Sequence, residues 1–185
     1  MSSQSKTALH LDWCTYKAAY ACKHWHYSQK NQPGKTVKIG VWEADSFRGA
    51  IVFSAGSGGA CDGRKYGLRK TDEVTDEVAE LARVAMRSHV TPVTRIVAIA
   101  VKMLRVTAPG IRLIVSYADP LHDHHGGIYQ GGNWTYLGPT SPDTFYRTPS
   151  GVLLHSRSVS ASGYKVRFGV RKRCLLYTSP SPRDS

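Results

Sequence analysis

The segment "TPVTRIVAIAVKMLRVTAPGIRLIVSYAD", Thr91 to Asp119, restricts the fold of this chain more than any other. Val93, Ile96, Val97, Ala100 and Leu104 recur at helical spacing, with Arg95, Lys102 and Arg105 available for the outer face. Thr91 can cap the helix, Pro92 fits its first turn, and Pro109-Gly110 stops it. The apolar run that follows has the pattern of a strand buried on both faces. A helix feeding such a strand predicts an α/β sheet, and in such sheets ligands bind beyond the carboxyl ends of the strands. Ser116, Tyr117 and Asp119 stand at that end.

The rest of the chain supplies partners for this unit. "VKIGVWE" (Val37 to Glu43) and "FRGAIVFS" (Phe47 to Ser54) read as two strands of a hairpin linked through Ala44, Asp45 and Ser46. "EVAELARVAM" has helical composition, but its place in the order favours a strand through Leu81 to Met86. Trp13 to about Tyr27 reads as a helix with Ala18, Ala19 and Cys22 inward, and residues 1–12 as a loose polar segment. The Gly-rich "SAGSGGACDGRKYGL" reads as a long loop, matching neither the P-loop nor G-x-G-x-x-G. In "HDHHGGIYQGGNWTYLG", Gly126-Gly127 permit an unusual backbone path, Ile128 to Gly131 a short helix, and Trp134 to Leu137 a strand.

Charge narrows the partner. Lys and Arg number 25 against 13 Asp and Glu, and the formal net charge of +12 points to a polyanion, of which nucleic acid is the commonest. Lys165, Arg167, Arg171, Lys172 and Arg173, interleaved with Tyr164 and Phe168, suit phosphate contact with base stacking and are the candidate DNA-binding run. Four cysteines without a C-x-x-C pair, and no signal-peptide pattern, indicate a reducing, cytosolic setting. No apolar run has the length of a membrane span. His122, His124 and Asp119 form a 2-His-1-carboxylate set that a metal ion would accept, although a His-rich surface loop is the simpler reading.

In order along the chain, "HWHYS", "VKIGVWE", "ELARVA", "TPVTRIVAIAVKML", "IRLIVSYADP" and "HHGGIYQGGNW" resemble the phage Mom proteins, which modify adenine in DNA, over about Leu11 to Ser162. The resemblance implies an α/β, GNAT-like acyltransferase fold, a mixed central sheet flanked by helices, as one catalytic domain over residues 13–173. It implies addition of a carbamoylmethyl (glycinamide-type) group to N6 of deoxyadenosine, in the cytoplasm of the bacterial host, shielding phage DNA from restriction. The matching positions are His26, Tyr27, Ser28, Lys38, Glu80, Arg83, Ser116, Asp119, His124, Tyr129 and Trp134. Within this set we assign Asp119 or His26 as general base and Tyr27 and Ser116 as hydrogen-bonding or proton-relay groups. Arg83 anchors the donor or a phosphate, and Ser28, Lys38, Glu80, His124, Tyr129 and Trp134 bind substrate or donor. Glu80 and Arg83 fit a buried ion pair equally well, and Trp134 fits a core residue better than a stacking platform.

These residue types suit the chemistry. The adenine N6 lone pair is delocalised into the ring, so an enzyme acting there must position an electrophile and take a proton. The base lies inside duplex DNA and must be flipped and stacked, for which Tyr27, Tyr129 and Trp134 are candidates. Double-stranded DNA as substrate also accounts for the net charge.

Two departures matter. GNAT enzymes hold acyl-CoA pyrophosphate on a Q/R-x-x-G-x-G/A loop, whereas "RSHVTPVTR" has no glycine. This disfavours acyl-CoA and points to a glycyl donor on a larger carrier, such as an aminoacyl-tRNA. The last residues, "CLLYTSPSPRDS", resemble translated adapter sequence, so residues 174–185 are set apart as a non-native tail and the natural chain is expected to continue past Arg173. A methyltransferase would need a D-P-P-Y tetrad, but Leu121 and His122 follow Asp119-Pro120. A non-catalytic DNA-binding module would not need the polar cluster from Ser116 to Tyr129. Oligomeric state is not legible.

Overall fold

The computed structural model describes residues 8–56, 61–68, 77–119, 122, 124–140, 143–147, 153–155 and 175–177. Five strands, β1 (Leu9–Trp13), β2 (Thr36–Glu43), β3 (Ser46–Ser54), β4 (Val78–Met86) and β5 (Leu113–Val115), form one open sheet in that order. β1 to β4 are antiparallel to their neighbours, and β5 runs parallel to β4. The helices are α1 (Tyr16–His24), α2 (Val93–Thr107) and the single turn α3 (Gly127–Gln130). The mixed α/β sheet and the β4-α2-β5 crossover are those expected from sequence. Ala44 and Asp45 close the β2–β3 hairpin at φ 46° and 62°, the two-residue left-handed turn that matches strand twist.

Strand alternation sends side chains to two cores. Ile39, Val41, Ile51, Phe53, Ala79 and Leu81 pack with Ile96, Val97, Ala100 and Leu104 of α2. On the other face Ala50, Val52 and Ala85 meet Ala18, Ala21 and Cys22 of α1. The small residues on both sides of that second contact let α1 lie close on the sheet. Burying side chains the size of Ile51 or Phe53 contributes about 1.5–3 kcal/mol each.

One irregularity positions the site. Phe53 pairs with Leu81 but Val52 pairs with Arg83, so Ala82 is the extra residue of a β-bulge. Without it, strand alternation would put Arg83 on the face of Leu81, in the α2 core. With it, Arg83 shares the α1 face with Glu80 and Ala85.

Three sequence expectations are corrected. Residues 9–12, expected to be loose, and Trp13, expected to open the helix, are the edge strand β1, whose five residues all pair with β2, and α1 starts at Tyr16. Thr91 makes no side-chain cap; Pro92 occupies the cap position of α2, and the Thr91 N–H is held elsewhere. Trp134 to Leu137 form no strand, because the Trp134 N–H turns back to the Tyr129 carbonyl (3.0 Å). The chain divides into two compact units, Met1–Trp134 and Thr135–Ser185. The second unit holds β6 (Asp143–Arg147), β7 (Leu153–His155) and β8 (Leu175–Tyr177), which pair with one another in the order β7-β6-β8. β8 falls within the segment set apart as a tail. The run Lys165, Arg167, Arg171, Lys172 and Arg173 lies outside the described residues.

Candidate active site

α1 stops where its sequence turns from alanine to aromatic. The Trp25 N–H closes the last turn on the Ala21 carbonyl (2.8 Å), and Gln29, at φ 49°, donates to the His26 carbonyl (2.9 Å). This turn holds His26, Tyr27 and Ser28 just beyond the helix. The Ser28 N–H donates to His26 Nδ1 at 3.1 Å, and Ser28 Oγ lies 2.8 Å from the same nitrogen. A ring nitrogen that accepts a backbone N–H carries no proton, so neutral His26 is protonated on Nε2. Burial lowers its pKa from 6.5 to about 4, and the charges of Arg83, His124 and His122 act in the same direction.

The second part of the site forms where the parallel strands separate. β5 pairs with β4 only over Leu113 to Val115, opposite Val78 to Glu80, whereas β4 runs on to Met86. Ser116 follows immediately, with its Oγ 2.8 Å from the Leu81 carbonyl and 2.7 Å from Tyr129 Oη. A serine hydroxyl has one hydrogen and a carbonyl only accepts, so Ser116 donates to Leu81 and Tyr129 donates to Ser116. Gly126, at φ 74°, makes the left-handed entry to α3 that presents Tyr129. Burial raises the Tyr129 pKa and keeps its hydroxyl protonated.

Tyr27 joins the two parts. Its ring centroid is 4.2 Å from that of His26, 4.3 Å from His122 and 4.8 Å from His124. Asp119 organises the two loop histidines: its carbonyl accepts the His122 N–H (3.0 Å) and the His124 N–H (3.3 Å), and its Oδ2 is 4.0 Å from His122 Nε2. Burial, and then the negative charge of Asp119, raise the Tyr27 pKa, so this hydroxyl is a donor. Tyr117, paired with Tyr66, is pushed up to about 12, first by burial.

β4 adds charge beneath this cluster. Arg83 Nη1 donates to the Ala82 carbonyl (2.6 Å), while its Nε is buried without a hydrogen-bond partner. The Arg83 charge acts on Cys22, His26 and Tyr27; that of Glu80 acts on Tyr27, Tyr117 and Tyr129. Lys38, on β2, acts on Cys22.

The structure thus brings together His26, Tyr27, Ser28, Arg83, Ser116, Asp119, His124 and Tyr129 around the separated ends of β4 and β5, with Glu80 and Lys38 beside them. Trp134 does not join Tyr27 in an aromatic wall: it packs on the α2 core and against Tyr129 at 5.4 Å. His24 stacks on Tyr20, and Trp25 packs on Phe47. Sequence reasoning passed over His122 as an aromatic partner; the signal was its place two residues from His124. Among the described residues no three His, Cys, Asp or Glu side chains are grouped so that they could hold a metal ion. A hollow of about 260 Å³ at the other end of the sheet, lined by Val37, Phe53, Val78 and Leu104, is apolar and has none of these groups. No helix among the described residues is long and apolar enough to cross a membrane.

In this α/β sheet, paired hydroxyls, an aspartate and imidazoles stacked on a tyrosine gather where the parallel strands part, the place where open α/β sheets carry their sites. The chain belongs to the Mom protein family, whose family model matches residues 9–176. It is thereby a protein of phage DNA modification. No curated protein matches it.

Proposed function

We propose that the protein is a GNAT-like transferase that places a carbamoylmethyl group on N6 of adenine in double-stranded DNA, so that phage DNA escapes restriction. The observation that carries this reading is the Tyr27 stack. One aromatic ring from the turn after α1 lies against two imidazoles from the loop after β5, within reach of the Asp119 charge, and such a stack supplies the flat faces that an extruded purine needs.

The hydrogen-bond inventory distributes the roles. His26 Nδ1 already accepts from Ser28 and its Nε2 carries the proton, so His26 donates a hydrogen bond and Asp119 is the base. N6 attacks the carbonyl carbon of the glycyl ester, the new N–C bond forms as the C–O bond to the carrier breaks, and the N6 proton passes to the Asp119 carboxylate. The glycyl amine then adds to C6 of the purine and the original C6–N6 bond breaks, an isomerisation that leaves –NH–CH2–CO–NH2 on C6. Tyr27 and the Ser116–Tyr129 pair hold donor and base in line. Arg83, with its buried and unpartnered Nε, anchors an anionic or carbonyl group of the donor.

In this reading the carrier is held differently from acyl-CoA. The Val90 and Thr91 N–H groups, which precede α2 where a pyrophosphate loop would donate, are both taken by Glu43. This supports a glycyl donor on a larger carrier, an aminoacyl-tRNA. Restriction of plasmid DNA from expressing cells tests the reading. The unaltered protein is expected to protect adenine-containing sites and Asp119→Ala to abolish protection; full cleavage with the unaltered protein would count against it.

A further inference from the structure

We infer that the outward face of α1, with the aromatic and cationic layer next to it, is the surface on which the target DNA docks. The inference rests on the DNA reading above and goes beyond it, because nothing in that reading requires this helix to do more than carry His26 and Tyr27.

The helix has two unlike faces. Ala18, Ala21 and Cys22 are buried against the sheet. Opposite them, Tyr16 and Tyr20 are 84% and 48% exposed, with Lys17, Lys23 and His24 also exposed, and no acidic residue occurs within the helix. Tyr16, Tyr20 and His24 fall at i, i+4 and i+8, a single stripe along the axis, and Tyr27 of the candidate site follows it. Packing does not explain a tyrosine as exposed as Tyr16.

The stripe is continuous with a second layer. Tyr20 stacks on His24 (4.3 Å) and meets Trp25 edge-on (5.7 Å); Trp25 meets Phe47 (5.6 Å), and Phe47 meets Trp42 (5.3 Å). Two cations lie over it. Lys17 Nζ is 5.7 Å from both the Trp42 and Phe47 rings, and the Arg87 guanidinium is 5.1 Å from Trp25. The nearest acid in sequence, Asp12, accepts the Trp13 N–H through its own side chain (2.7 Å). Rings that accept stacking, interleaved with cations that meet phosphate, are the makeup of surfaces that track a nucleic-acid strand. The occupant is the target DNA because Tyr27 follows the last residue of α1 by three positions, so a strand lying along the helix ends beside the candidate site. This places DNA docking on the first unit of the chain.

The test is fluorescence anisotropy with a labelled adenine-containing duplex over a salt series, on the full-length protein, with circular dichroism as a folding control. Tyr16→Ala with Tyr20→Ala should weaken binding about tenfold or more. Lys17→Glu with Lys23→Glu should weaken it as much and lower the salt slope by about two. Thr107→Ala, an exposed position on α2 across the sheet from α1, serves as a comparator that keeps its affinity. Folded variants that bind DNA as the unaltered protein does would overturn the inference and leave the DNA reading standing. Variants that lose binding of a labelled tRNA but keep DNA would also overturn it, assigning the face to the donor. An unaltered protein with no affinity for DNA would remove the inference and the reading together.

Discussion

Glu43 is a carboxylate at the end of β2, 1% exposed, and its two oxygens accept the Val90 N–H at 2.9 Å and the Thr91 N–H at 2.6 Å. It ties the segment between β4 and α2 to the hairpin, two elements far apart in sequence. Replacing it with alanine strands both donors unequally. Val90 is exposed and water can serve it, at a cost of about 0.5 kcal/mol, whereas the Thr91 N–H is buried and loses a charge-assisted bond, at about 2 kcal/mol. The lost methylenes add about 1 kcal/mol. Glu43→Ala should therefore destabilise by about 3–4 kcal/mol, and Glu43→Gln, which keeps one acceptor but turns an amide donor towards the other N–H, by about 1.5 kcal/mol. The pH dependence gives a second handle. Burial alone would raise the carboxyl pKa, but the hydrogen bonds from Thr91 and Val90, aided by His89, bring it below its ordinary 4.5. A depressed acid contributes stability that is full above the unfolded value and is lost as pH falls through the folded one. Urea denaturation at pH 7 and below pH 4 should show the gap between the native protein and Glu43→Gln closing in acid. A gap that does not change with pH, or a cost below about 1 kcal/mol for Glu43→Ala, would refute the reasoning.

A Cβ on Gly49 would run into the Ala85 carbonyl and stand 2.8 Å from Met86 Cα, so Gly49→Ala should cost about 2–3 kcal/mol, read as a lowered thermal midpoint. His26 should titrate near 4 by NMR, because its pKa is held down mainly by burial; between there and 6.5 the unfolded chain binds the extra proton, so this residue's contribution to stability falls as pH drops through that range. Arg83→Gln should move the titration part of the way back towards 6.5; a His26 midpoint already at 6.5 in the native protein would contradict the burial described here.

Much of the fold was legible because its signals are local. The hairpin, α2 with its Pro109-Gly110 stop and the short helix after Gly126 each follow from periodicity and turn chemistry within one segment. β1 escaped notice because "LHLDW" is short and half polar, as an edge strand is, and becomes a strand only by pairing with β2. Arg83 was legible as a residue type, but its face was not, since that depends on a bulge at Ala82 set by pairing with β3. The meeting of Tyr27 with His122 and His124 is a tertiary contact between distant segments, which no spacing encodes. Glu43 and the Tyr16–Tyr20 stripe did carry signals, an acid beside Trp42 at a strand end and aromatics four apart on a helix. Both signals are fainter than the basic run near the end of the chain.

The central claim is chemical, and nucleoside mass spectrometry of DNA from cells expressing the protein tests it most directly. Deoxyadenosine bearing a carbamoylmethyl group in place of one hydrogen, present with the unaltered protein and absent with a folded Asp119→Ala, is the predicted result. Unmodified deoxyadenosine with the unaltered protein, or the same modification with Asp119→Ala, would contradict the account.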